Sequence, residues 1–132
     1  MTTPADWQRV ELPGGVVFEV PGDARRGTGT QVDSTAGWFE GAGYRIAYDL
    51  GRFGERLDGL TAETRFRALS RDVAGRQARE VSFVPSDEPF ALARIVQFAL
   101  DADRTFTLRV SCEPAERCTF ADLVFGSIST ME

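Results

Sequence analysis

Gly43-Tyr44-Arg45-Ile46-Ala47-Tyr48-Asp49-Leu50-Gly51 alternates large apolar side chains with polar or small ones and stops at a glycine. A period of two is the pattern of a β-strand with one face in a core and the other toward solvent. It puts Tyr44, Ile46, Tyr48 and Leu50 on one face and Arg45, Ala47 and Asp49 on the other. Just before it, Glu40-Gly41-Ala42-Gly43 reads as a hairpin turn. Thr30 to Phe39, with Val32, Ser34, Ala36 and Trp38 on one face, is then the partner strand.

Outward from this hairpin the same grammar repeats, and eight strands and one helix are expected. Val10 and Leu12 follow Trp7 and turn at Pro13-Gly14-Gly15. Val16, Phe18 and Val20 mark a second strand that ends at Pro21-Gly22. Thr64 to Val73 is expected as a strand turning at Ala74-Gly75 into Gln77 to Val84, although Thr61-Ala62-Glu63-Thr64 also offers a helix start. Phe90 to Leu100 carries apolar residues on both faces, as a central strand does. Phe106, Leu108, Val110 and Cys112 alternate cleanly with Thr105, Thr107, Arg109 and Ser111. Beyond them the period changes, and Ala121, Val124, Phe125 and Ile128 sit at helical spacing. Thr119 with Asp122 offers a weak capping box. So short a helix must bury its stripe against a sheet, and Ala91, Ala93 and Ala99 offer it a bed.

These elements predict an α+β fold, an antiparallel β-sheet with helical cover, in a single domain spanning residues 1–132. A cystatin-like or NTF2-like arrangement would need its main helix near the N-terminus. The Gly and Pro content of that region opposes it.

Composition excludes more chemistry than it suggests. All 15 basic side chains are arginine, and the chain has no lysine, histidine or asparagine, as GC-rich coding favours. A Ser-His or Cys-His pair lacks its base, and a Schiff base lacks its amine. A P-loop lacks its lysine, and zinc would fall to two cysteines and carboxylates, an unusual set. No enzyme activity, cofactor or metal is therefore expected. The net charge of −5 is interspersed and forms no basic stripe, so no nucleic-acid partner is expected. No apolar run is long enough to span a membrane. Met1 to Asp6 shows no leader pattern, and a trimmed leader would look the same, so the compartment stays open.

Cys112 and Cys118 flank a strand-to-helix loop. A disulfide here would staple that loop and imply an oxidising compartment, periplasmic or secreted. Two buried free thiols would leave a cytoplasmic location. Trp38, Tyr44, Tyr48, Asp49 and Phe53 are the candidate ligand-binding residues, the aromatic rim of a pocket for a small apolar molecule. Arg25-Arg26-Gly27-Thr28-Gly29-Thr30 reads as a solvated turn, with anion binding as the alternative. Asp101-Ala102-Asp103 reads as a tight turn rather than a calcium loop. Asp49 with Asp33 or Glu40 would be the carboxylate pair of an acid-base enzyme, and nothing in the spacing recommends it.

The order of motifs resembles the PsbP/Mog1-like superfamily. The resemblance rests on Leu12-Pro13-Gly14-Gly15-Val16-Val17-Phe18-Glu19-Val20-Pro21, then Ile46-Ala47-Tyr48-Asp49-Leu50-Gly51, then Leu123-Val124-Phe125-Gly126-Ser127-Ile128. It implies an α/β/α sandwich with the C-terminal helix packed on the sheet. It also implies a non-catalytic accessory or protein-interaction role. Members include an extrinsic photosystem subunit, a nuclear-import accessory that binds a small GTPase, chaperones for secreted effectors and many bacterial envelope proteins of unknown role. This chain lacks the lysines and histidines that the first two would use, so the resemblance implies a protein partner without naming one. An uncovered sheet edge or an exposed apolar patch would mark such a protein.

Overall fold

The computed structural model describes residues 3–27, 35–51, 57–86 and 88–130. Seven strands form one antiparallel sheet. They are β3 (Arg25–Arg26), β4 (Ala36–Gly41), β5 (Tyr44–Gly51), β6 (Thr64–Val73), β7 (Arg76–Val84), β8 (Leu92–Ala99) and β9 (Thr105–Cys112), in the order β3-β4-β5-β9-β8-β7-β6. A smaller sheet holds β1 (Gln8–Glu11), β2 (Val16–Val20) and β10 (Ser129–Thr130), with β2 in the middle. The α-helix among the described residues is α1 (Phe120–Gly126).

The β4–β5 hairpin forms as the alternation of β5 requires, but β4 runs on through Glu40 and Gly41, which were expected in the turn, while Thr30 to Ser34 lie outside the described residues. Ala42-Gly43 is a two-residue loop between Gly41 and Tyr44, and Gly43 has φ +80°, open to glycine without strain. Tyr44, Ile46, Tyr48 and Leu50 are all buried. They face the layer made by the small sheet and α1, where Phe18 lies 5.9 Å from both the Tyr48 and Phe106 rings. Val96, Phe98, Phe106, Leu108 and Val110 continue this core, and Ala121, Val124, Phe125 and Ile128 close it. At about 25 cal/mol per Å² of apolar surface, this face supplies most of the driving force for folding.

The helix start differs from the expected capping box. Thr119 is already helical (φ −61°, ψ −27°) as the last residue of a 3-10 turn, Ala115–Thr119, and its side chain caps nothing. Sequence spacing alone did not reveal that preceding turn. The bed of the helix also differs. Ala93 lies on the opposite face of the sheet, packed with Phe83, Ile95, Val81 and Leu57. The helix instead docks on β2 and on the face bearing Val96 and Phe98. Ser127 and Ile128 explain the end of that motif. Ser127 Oγ accepts a hydrogen bond from the Glu19 N–H at 2.8 Å and donates one to the Val124 carbonyl at 2.6 Å, and Ile128 is buried.

The sheet's second face is more thinly covered. Among the described residues its helical cover is one 3-10 turn, Leu57–Leu60, whose Leu57 and Leu60 roof Val81, Phe83, Ala93 and Ile95 together with Phe66. Cys112 and Cys118 form a disulfide with Cα atoms 5.6 Å apart, which ties β9 to the 3-10 turn before α1. Its short loop gives a stabilisation of about 2 kcal/mol.

Candidate interaction surface

Three features of the large sheet turn outward: the β6 edge, the depression beside it, and a polar basin near the other end of the thinly covered face.

β6 spans ten residues, Thr-Arg-Phe-Arg-Ala-Leu-Ser-Arg-Asp-Val, and among the described residues it pairs on one side only, with β7. Its other side therefore presents unpaired backbone donors and acceptors along the strand. Most of its side chains are exposed. Leu69, at 51% exposure, is the one large apolar side chain standing in solvent among the described residues. Arg65 and Arg67 are exposed as well. A bulge between Thr64 and Arg67, with Arg65 at φ +58°, bends the start of the strand. At its other end Ala74 (φ +54°) and Gly75 (φ +74°) make the turn, both in the left-handed region, as a type I′ hairpin requires.

From behind, β6 is anchored by charge. Arg71 Nη1 donates to Glu80 Oε1 at 2.7 Å, and Arg94 Nη2 donates to Glu80 Oε2 at 3.0 Å and to Asp122 Oδ1 at 2.7 Å. Glu80 is 5% exposed, and both guanidinium groups lie over the Phe125 ring. Burial lowers the Arg94 pKa, but the hydrogen bond to Asp122 and the charge of Glu80 outweigh it and hold the group above its ordinary value. This cluster joins the edge strand to the first turn of α1. It fixes β6 in place without covering its free side.

Beside β6 on the thinly covered face lies a depression of about 550 Å³, where Ala68, Ser70 and Ala99 are too small to fill the surface and Arg79 and Gln97 form the wall. Farther along, Arg45, Ala47, Glu88, Arg109 and Ser111 line a shallower basin of about 190 Å³. There Arg109 Nη2 donates to Glu88 Oε1 at 2.5 Å, Ser111 Oγ donates to the same oxygen at 3.2 Å, and Arg45 stacks on Trp38 at 4.7 Å. Glu88 engages Arg109, whereas Arg45 lies against Trp38 with its buried Nε lacking a hydrogen-bond partner among the described residues.

The residues expected to rim an aromatic pocket fall on two faces. Tyr44 and Tyr48 lie in the core, 8% and 3% exposed. Tyr44 Oη donates to Asp23 Oδ1 at 2.8 Å, and Tyr48 Oη accepts from Arg26 Nη2 at 2.6 Å. Trp38 and Asp49 stand on the opposite face, because odd and even positions of one hairpin point apart. Phe53 lies outside the described residues. Of the carboxylate pair, Asp49 is level with Ala36 and Glu40 with Arg45, so the two sit at opposite ends of the ladder, and Asp33 lies outside the described residues. Arg25 and Arg26 form a strand rather than a loop, with Arg26 stacked on Phe39 and Tyr48, while Thr28 to Thr30 lie outside the described residues. Asp101 closes its turn by accepting from the N–H groups of Asp103 and Arg104 and from the Arg104 side chain, a full set of turn contacts.

The β6 surface went unremarked at the level of sequence, although its signal was there. Arg67, Leu69 and Arg71 fall on one face of a strand, an alternation with too little apolar content to be core.

Among solved structures, the chain is similar to cyanobacterial PsbP (CyanoP) from Synechocystis sp. PCC 6803, known from its solution structure. The two superpose with a TM-score of 0.65 over 98% of this chain and 95% of that one, at 12% sequence identity. No family model matches the chain, and no curated protein sequence does. The fold is thus PsbP-like: mostly antiparallel sheet with a C-terminal helix packed on it.

Proposed function

We propose that this chain is a non-catalytic accessory domain that binds another protein through the β6 edge of its large sheet. The observation that carries the reading is the edge itself, ten residues long, unpaired on its outer side among the described residues and marked by exposed Leu69. The PsbP-like fold supports an accessory role, in keeping with the roles that the sequence resemblance implies. A protein partner is favoured over a small apolar ligand, because the aromatic residues expected to form a pocket divide between the core and the opposite face. The Cys112–Cys118 disulfide supports an oxidising compartment, periplasmic or secreted. Among the described residues no helix is long and apolar enough to cross a membrane.

The test places a photo-crosslinking amino acid at Leu69, and separately at exposed Glu40 near the far end of the sheet, in cells that make the protein. Irradiation is expected to give one discrete adduct from position 69 and none from position 40. Equal crosslinking at both, or none at either, contradicts the reading. In the same cells, Cys112 and Cys118 are expected to resist alkylation until a reductant is added. Ready alkylation would place the protein in a reducing compartment.

A further inference from the structure

We propose that the β6 edge receives an extended acidic segment of the partner, which adds to the large sheet as a further strand. This rests on the interaction reading above and gives its partner a chemistry. Strand addition is how an unpaired edge binds an extended peptide: main-chain hydrogen bonds supply affinity, and alternate side chains supply specificity.

The sign of the charge selects the segment. β6 carries three arginines and one aspartate in a chain whose net charge is −5. The edge is thus a positive strip on a negative protein. Arg71 is committed to Glu80 behind the strand, but Arg65 and Arg67 stand exposed at its start. An approaching acidic strand is drawn to that strip, whereas opposite-charge pairs directly across a ladder favour only one register. A second copy of this chain is disfavoured by the same charges, since self-pairing brings together two strips that each carry three arginines against one aspartate.

Side-chain parity gives the pattern. Arg67 and Leu69 share the face toward α1, because Arg67 pairs with Ser82 and Leu69 with Glu80. A segment with a carboxylate beside Arg67 and an apolar residue beside Leu69 matches that face. On the other face Ala68 and Ser70 leave room above the sheet. A side chain of opposite parity can lie across them into the depression of about 550 Å³, where Arg79 stands in the wall. Arg79 meets Asp58 at 2.9 Å, but both side chains are substantially exposed, so the pair is weak enough to exchange partners. The matching segment therefore carries a carboxylate and an apolar residue two positions apart, for Arg67 and Leu69, with a second acidic residue between them turned toward Arg79.

The test follows amide hydrogen exchange of the folded chain with a short acetylated peptide centred on Glu-Glu-Val, and with its Lys-Lys-Val counterpart. The glutamate peptide is expected to slow the outward β6 amides by about tenfold or more while leaving β8 and β9 unchanged. That protection should weaken severalfold as salt is raised toward physiological strength. Arg67→Glu should abolish it and transfer it to the lysine peptide, with β8 and β9 protection confirming that the variant is folded. Protection by both peptides alike, or by neither, overturns the acidic assignment. If the Leu69 crosslink to a partner persists in that case, the edge still binds protein and only the segment's chemistry is wrong; if the crosslink is also absent, both readings fall. Protection of β6 without peptide, accompanied by a doubled mass in solution, shows a second copy on the edge and likewise overturns the proposal.

Discussion

The two ends of the large sheet solve the same problem in opposite ways. At one end β3 is two residues long, and its neighbourhood is tied down by side chains. Arg26 reaches back to the Tyr48 hydroxyl, Asp23 accepts from Tyr44, and Gly27 lies so close to Trp38 that a Cβ there would overlap the ring. At the other end β6 runs for ten residues and is held by Arg71 on Glu80, by Val73 in the core and by Phe66 beside the 3-10 turn. A short, stacked edge gives an incoming strand little to pair with. A long edge held rigid from behind offers a full ladder in a fixed position. The difference teaches that exposure at β6 is not loose structure: the same strand carries both the open ladder and a buried ionic anchor.

Glu80→Ala attacks that anchor and should have the largest effect. It leaves Arg71 and Arg94 sharing only half-exposed Asp122, and a loss of about 3 kcal/mol is expected in denaturant unfolding. Exchange at β6 and at α1 should accelerate together. Acceleration at β6 alone would mean that the cluster does not join the two.

Gly27→Val attacks the sealed edge, where the added methyl groups meet the Trp38 ring and should cost about 2 kcal/mol. The same size of change in exposed side chains of β6 should be far milder.

Tyr44→Phe removes the hydrogen bond to Asp23 and should cost about 1 kcal/mol at neutral pH. Burial, then the hydrogen bond and charge of Asp23, raise the folded-state pKa of Tyr44 above its ordinary 10.0. Its contribution is whole below that value and is lost as pH climbs toward the raised one. Stability of the parent protein should therefore fall in alkali, and the Phe variant should show a flatter profile in a pH series of melts.

Ala74→Asn acts at the turn that sets the register of β6 and has the opposite sign. Asparagine tolerates φ +54° better than alanine, and a gain of about 1 kcal/mol is expected in chemical denaturation. Leu69→Ser should change stability by no more than about 0.5 kcal/mol, since half of that side chain is already in water. Its effect should appear in partner crosslinking instead.

Much of this architecture is legible in the chain. The alternation of Tyr44 to Leu50 and the double-faced run from Leu92 to Ala99 need only side-chain period, whereas the strand Thr64 to Val73, mostly exposed, competed with a helix start at Thr61. The two-residue strands β3 and β10 were not legible, because two residues carry no period and owe their pairing to β4 and β2. The bed of α1 was misplaced for a related reason. Ala93 and Val96 are both apolar, and only the sheet's order reveals which face the helix meets. The disulfide was one of two open readings, since the five intervening residues decide whether the sulfurs meet. The interaction edge was hidden for the deepest reason. The low apolar content of Arg67 to Arg71 signals exposure, but whether a strand is an edge depends on which strands pair with it, and that its own residues do not record.

Hydrogen exchange of the isolated protein, followed amide by amide in β6 and in β7, tests the contrast most directly. Alternate amides of β6 should exchange almost as fast as unstructured peptide while their neighbours in the same strand, bonded to β7, persist with the sheet. Uniform protection along β6, equal to that of β7, would show that the edge is already covered and would contradict the account.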